Sequence, residues 1–222
     1  MNSMEYGKAF SYLTEDKDWI KKFLIAAGLS IIPILGQLVV VGYGLEITRR
    51  VIKGESPTLP EWSDFGDFLK KGFFAAVVII VYNLPILLFS LCAQGPQLAL
   101  AFTDGDETLA WVATIAGVCF GCLTFIFAIL AGLLTPPALG KVAASGELGA
   151  GFRFGEVFGL LRAKPGVYVI VFIILALMFT ILVPIGILAC FIGIYAVVAY
   201  AQLVSAHLYG QAYRVASAES GA

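Results

Sequence analysis

Residues 19–53 read WIKKFLIAAGLSIIPILGQLVVVGYGLEITRRVIK. Two apolar runs, Trp19 to Ile32 and Gly36 to Ile52, flank the segment Pro33-Ile34-Leu35-Gly36, and the fold turns on whether that segment breaks one helix into two. Proline removes a backbone donor and glycine frees the backbone, so a turn there is physically reasonable without being compulsory. As one tilted helix, Phe23 to Ile47 crosses a bilayer once and leaves the chain ends on opposite sides. As a hairpin, the chain returns to the side it left. The first run covers only roughly 21 Å at 1.5 Å per residue, short of a hydrocarbon layer of about 30 Å.

Charge arbitrates between the two. With the hairpin, all 14 Lys and Arg residues, from Lys8 to Arg214, fall on one side. The opposite side receives Pro33 to Leu35, the loop Ala93 to Thr108 and the turn near Gly186, which hold Asp104, Asp106 and Glu107 but no Lys or Arg. That distribution satisfies the positive-inside rule. The single helix would set Lys8, Lys17, Lys21 and Lys22 opposite the Arg49 to Lys71 group and leave no bias at the first span. The further apolar runs are Gly72 to Cys92, Leu109 to Thr135, Gly166 to Ile185 and Leu188 to Tyr213. Each holds roughly 20 residues or more, enough to span. The expected architecture is all-α: a polytopic membrane bundle of about six spans with both termini cytoplasmic. Trp19 and Trp62 then mark the cytoplasmic headgroup level and Trp111 the external one.

Composition agrees. Hydrophobic residues make up 60% of the 222 and charged ones 13%, and mean hydropathy is +0.94; soluble domains have roughly 45 to 50% apolar and 25% charged residues. A net charge of −1 speaks against a nucleic-acid partner, which demands a concentrated basic face. The N-terminal MNSMEYGKAFSYLTEDKDW lacks the apolar core of a cleavable secretory signal. Cys92, Cys119, Cys122 and Cys190 lie in or beside apolar runs and read as small hydrophobes.

Within this single domain, 1–222, an internal repeat emerges with units of about 5–55, 62–147 and 152–219. Each unit opens on an aromatic and glycine signature: Tyr6-Gly7-Lys8-Ala9-Phe10, Phe65-Gly66-Asp67-Phe68 and Phe154-Gly155-Glu156-Val157-Phe158. Each carries a Pro-Ile pair (Pro33-Ile34, Pro85-Ile86, Pro184-Ile185) and ends on a basic stop. Units that start and finish on the same side form a parallel threefold repeat. The signatures are amphipathic at helical spacing; Phe154, Val157, Phe158 and Leu161 share one face. They read as short interfacial helices covering the ends of the bundle, with lipid engagement as their functional alternative.

The stretches TRRVIKGE (48–55), LPEW (59–62), GFRFGEVFGLLRAKPGVY (151–168) and AHLYGQAYR (206–214) resemble the bacterial and archaeal membrane family called domain of unknown function 4013. The plan of helix, amphipathic linker and helix is also remotely similar to Yip-type multispanning proteins and to membrane domains joined to glycerophosphodiester phosphodiesterases. The first resemblance covers nearly the whole chain. It implies a multispanning domain of a prokaryotic cell membrane and brings no catalytic residues with it.

Ionisable groups inside hydrocarbon are the first functional candidates. Glu46 lies three and four residues before Arg49 and Arg50, where a helical salt bridge satisfies it. His207 is the only histidine, and Tyr200, His207 and Arg214 recur at heptad spacing. One imidazole without carboxylates or thiols beside it reads as a hydrogen-bonded packing residue, with a proton-sensing role as the alternative. Asn83, Gln37, Gln202, Ser205 and Gln211 read as interhelical hydrogen-bonders. Cys119 and Cys122 share a helix face three residues apart, a spacing that could hold a soft metal. They sit among small residues, however, and Ala113, Gly117 and Gly121 repeat at every fourth position, the pattern for close helix packing, which is the preferred reading. The glycine-dense GELGAGFRFG at 146–155 reads as a flexible linker. No phosphate-binding glycine loop, HExxH helix or nucleophile elbow is present. The expectation is a non-catalytic membrane module without metal or cofactor, partnered by membrane lipids and by itself or another membrane protein. The competing expectation is a channel or transporter for a small or lipidic solute, motivated by helices that proline interrupts at matching points.

Overall fold

The computed structural model describes residues 4–100, 102, 107–189 and 192–220; Asp104 and Asp106 of the acidic loop, and Cys190, lie outside them. The elements in order are α1 (Lys8–Ser11), a 3₁₀ turn (Tyr12–Glu15), α2 (Trp19–Ile31), α3 (Leu35–Lys53), α4 (Phe65–Leu100), α5 (Glu107–Ser145), a second 3₁₀ turn (Leu148–Phe152), α6 (Phe154–Ala163), α7 (Pro165–Leu188) and α8 (Ile192–Ser220). The fold is all-α, with no strand among the described residues. Three helices, α4, α5 and α7, are long and apolar enough to cross a membrane.

The chain does turn at Pro33. Helix α2 stops at Ile31, Ile32 is extended, and Ile34 sits at φ +62°, a strained conformation for a β-branched residue. The Gln37 amide donates to the Ser30 carbonyl across the turn at 2.7 Å. Gly36 is required by space: a Cβ there would lie 1.9 Å from the Leu29 carbonyl oxygen.

Other expected breaks are absent. Pro85 and Pro96 lie inside α4, Pro136 and Pro137 inside α5, and Pro184 inside α7; of the three Pro-Ile pairs only Pro33-Ile34 marks a turn. The second amphipathic signature is not a separate interfacial helix, because α4 runs without interruption from Phe65. The third is a helix of its own, α6, whereas the first is four helical residues and a 3₁₀ turn. The 146–155 stretch is ordered rather than a loose linker: Ala150 and Gly151 are buried, and a Cβ on Gly151 would press on Val78 and Val142 at 2.8 and 2.9 Å.

The chain forms two compact units, 1–78 with 134–222, and 79–133. The first is organised around α8, which packs against α2, α3, α6 and α7. Small buried residues along α8 (Ala199, Ala201, Ala206, Gly210, Ala212, Ala216) let neighbouring backbones approach; a Cβ on Gly210 would come within 2.6 Å of Val51. Tyr12, Tyr43, Ile47, Leu59, Phe68 and Leu203 fill the core beside it. Helices α3 and α4 touch backbone to backbone: a Cβ on Gly42 would sit 1.8 Å from the Phe68 carbonyl oxygen, and one on Gly72 1.8 Å from that of Leu38.

In the second unit the α4 and α5 segments meet through Phe89, whose ring lies 6.3 Å from Phe120 and 5.2 Å from Phe127, and through Gln97, which donates to the Ala113 carbonyl. Of the small-residue face, Ala113 is buried and Gly117 meets Gln97, but Gly121 faces open space. Cys92, Cys119 and Cys122 are exposed among apolar neighbours and do not pack inside the unit. Only 17% of the residues in the most apolar window of α4 are buried, 6% of those of α5 and 17% of those of α7, and large apolar side chains such as Trp111, Phe125 and Leu177 stay more than half exposed.

Gly42→Ala and Gly72→Ala each force two backbones apart and are expected to cost about 1–3 kcal/mol. Gly28, on the exposed side of α2 with nothing near its Cβ position, is the control: alanine there is expected to be neutral or stabilising by roughly 0.5–1 kcal/mol. Thermal or denaturant unfolding in mild detergent checks the contrast.

Candidate functional site

The last turns of α3 put Glu46, Arg49 and Arg50 on one face, as their spacing requires. Glu46 is buried and grips Arg49 with both oxygens, at 2.6 and 2.9 Å, and also accepts from Arg50 Nε at 3.3 Å. A third cation arrives from α4: Lys71 Nζ lies 2.6 Å from Glu46 Oε2 and also pairs with Asp67. Arg49 turns the other side of its fork to Glu55, at 2.9 and 3.0 Å. Carboxylates and cations balance, as charge that is partly buried requires. This arrangement holds α3 to the start of α4; it leaves Glu46 no free lone pair for acid–base work.

A second cluster is built by LPEW, the motif that follows α3. Leu59 is buried, and its carbonyl accepts from Lys22 Nζ at 3.3 Å. The Pro60 carbonyl accepts from the Tyr43 hydroxyl at 2.9 Å, and Glu61 pairs with Lys22 at 2.5 Å. Trp62 lies flat on Tyr43, centroids 4.0 Å apart and planes 5° apart, and donates from Nε1 to the Lys22 carbonyl. Trp62, expected from sequence to mark the headgroup level, is thus engaged in packing. Lys22 is itself buried and bonds Asp16 at 2.8 Å. Burial alone would raise the Asp16 carboxyl, but hydrogen bonds from Lys22 and from the Asp18 N–H outweigh it and hold the group below the usual carboxylate range.

The third cluster locks the N-terminal segment to α8. His207 is buried, stacks on Tyr12 at 4.3 Å, and its Nδ1 accepts from Gln211 Nε2 at 3.1 Å, which places the imidazole proton on Nε2. Gln211 binds both backbone groups of Glu5, and the Tyr12 hydroxyl donates to the Leu203 carbonyl. Tyr200 packs against the aromatic core, and Gln202 is half-buried. Arg214 Nε and the Tyr168 hydroxyl are buried without a hydrogen-bond partner.

The sequence candidates therefore do not converge on one centre. Glu46 belongs to the α3–α4 ion-pair cluster and His207 to the N-terminal lock. Asn83 belongs to the other compact unit and donates to the Ile79 carbonyl of its own helix at 2.8 Å. Among the described residues no group of three or more His, Cys, Asp and Glu side chains is placed to hold a metal. Sequence reading missed Lys22, Lys71 and the Tyr43–Trp62 stack; the LPEW string was the available signal for two of them.

Residues 25–206 match the family DUF4013, described as a protein of unknown function. The chain belongs to this family. Neither the curated proteins nor the solved structures give a match. The DUF4013 match takes in the whole Glu46 cluster and LPEW with Tyr43, while Asp16, Lys22, His207 and Gln211 lie outside its limits.

Glu46→Gln strands Arg49 and Lys71 against a neutral amide and is expected to lower stability by roughly 2–4 kcal/mol, discounted for partners that reach solvent. Pairing it with Lys71→Met should restore part of that loss in the same unfolding assay. The lowered Asp16 carboxyl stabilises the fold fully above the ordinary aspartate pKa of about 3.9 and loses this contribution as the pH falls through its lower folded value. Melting temperatures between about pH 5 and about pH 2.5 should therefore fall less steeply in Asp16→Asn than in the parent chain.

Proposed function

We propose that this DUF4013 chain is a non-catalytic multi-pass module of a prokaryotic cell membrane, assembling with itself or another membrane protein and holding lipid at its ends. The observation that carries the reading is the uncovered apolar surface of α4, α5 and α7. Large exposed apolar areas mark membrane or protein contacts, and apolar area is worth roughly 25 cal/mol per Å² once removed from water. On this reading the helices cross as six spans in three parallel pairs, both termini are cytoplasmic, and the turn at Pro33 reaches the external side. The charge asymmetry and the turn between α2 and α3 support that path.

Absence of catalysis is supported by the state of the ionisable groups: Glu46 is bonded to three cations, and His207 stacks on a tyrosine beside an amide. The transport alternative drew on proline-broken helices, and with α4 and α7 unbroken at Pro85 and Pro184 no observation favours it.

Two measurements test the proposal. The chain should float with liposomes and resist alkaline extraction. In a variant whose native cysteines are replaced, Leu35→Cys, on the exposed turn, should react with an impermeant thiol reagent from the external side of intact cells. Release into the aqueous fraction rejects the membrane reading; labelling of Leu35→Cys from the cytoplasmic side alone rejects the six-span path.

A further inference from the structure

A cavity of about 220 Å³ opens where the C-terminal turns of α3 and α5 face the first turns of α4. Its polar side carries Arg49, Lys70 and Lys71 against the single carboxylate of Asp67. Its apolar side is Leu45, Phe74 and Val142. Arg49 and Lys71 are already neutralised by Glu46, Glu55 and Asp67, yet each keeps about a quarter of its side chain exposed. Lys70 differs. It is exposed, no ion pair holds it among the described residues, and its ammonium hangs 5.8 Å over the Phe74 ring. The cavity therefore offers one uncompensated positive charge backed by two further N–H donors, directly beside apolar walls.

We propose that this cavity binds the phosphate headgroup of an anionic phospholipid. The proposal rests on the reading that the ends of α3 and α4 lie at the headgroup level of the basic face. The volume is below the roughly 300 Å³ that encloses a drug-sized ligand, so a headgroup enters while the acyl chains stay outside. The neighbouring Phe73 on α4, 54% exposed, supplies apolar surface for such chains. Basic pockets between helices on the cytoplasmic side are built for this chemistry, a phosphate on lysine or arginine with hydrocarbon alongside. A zwitterionic lipid carries the same phosphate but adds a cation that meets Arg49, Lys70 and Lys71 with repulsion.

The test is native mass spectrometry of the full chain with phosphatidylglycerol or phosphatidylcholine of identical acyl chains. The parent chain should retain phosphatidylglycerol in preference to phosphatidylcholine, and Lys70→Glu should reduce the retained phosphatidylglycerol about fivefold. Lys70→Gln, which removes the charge without reversing it, should give a smaller loss and preserves the test if the reversal perturbs folding. Lys53→Glu, at an exposed cation at the end of α3, should leave retention unchanged. Undiminished retention in both Lys70 variants, or an equal loss in Lys53→Glu, overturns the site. Displacement of the lipid by millimolar inorganic phosphate overturns the lipid assignment in favour of a free anion. A chain that floats with vesicles but shows no headgroup preference defeats this site alone, whereas a chain that does not float defeats the membrane reading beneath it.

Discussion

Helices α4, α5 and α7 carry apolar side chains of which their own chain fully buries few, and large exposed apolar surface must meet a second apolar phase or drive association. That constraint organises the rest. At 36 and 39 residues, α4 and α5 measure roughly 54 and 58 Å, far more than the hydrocarbon thickness of about 30 Å, so on the proposed membrane path their outer turns lie in a different environment from their middles. The first turns of α4 carry Asp67, Lys70 and Lys71, and the middle carries none.

Where the environment changes, charge does the fastening. Glu46 draws three cations from two helices onto one carboxylate, and Arg49 passes the link on to Glu55. Lys22 performs the same office for Asp16, Glu61 and the Leu59 carbonyl. Between these two clusters Tyr43 stacks on Trp62. Away from the charges, close backbone approach at Gly42 and Gly72, and at Gly210, takes over. Both devices are those that helices in lipid require, where packing and hydrogen bonds must replace the hydrophobic effect, and they agree with the proposed membrane setting.

Parts of this were legible in the sequence for physical reasons. A proline and a glycine within four residues announced the turn after Ile31, and the i, i+3, i+4 spacing announced Glu46 with Arg49 and Arg50. The α3–α4 pairing was not legible: Lys71 lies 25 positions from Glu46, and nothing local ties Gly42 to Gly72. Nor did the sequence reveal that Cys119 and Cys122 face outward. In a helix apolar on every side, periodicity cannot say which face meets protein and which meets lipid. Proline misled for a related reason: it removes a backbone donor without forcing a helix to end, and α4 runs on through Pro85. That Glu46, Asn83 and His207 belong to separate hydrogen-bond networks was likewise beyond sequence.

The central claim is that lipid, not water, covers the outer surface of the apolar helices. The chain has three tryptophans, and Trp111 on α5 is 64% exposed while Trp62 is stacked on Tyr43. Fluorescence of single-tryptophan variants in vesicles of acyl-brominated phospholipid tests it most directly. The account predicts strong quenching of Trp111 by the brominated chains, weaker quenching of Trp62, and little effect of aqueous iodide on Trp111. Quenching of Trp111 by iodide but not by brominated lipid would contradict it.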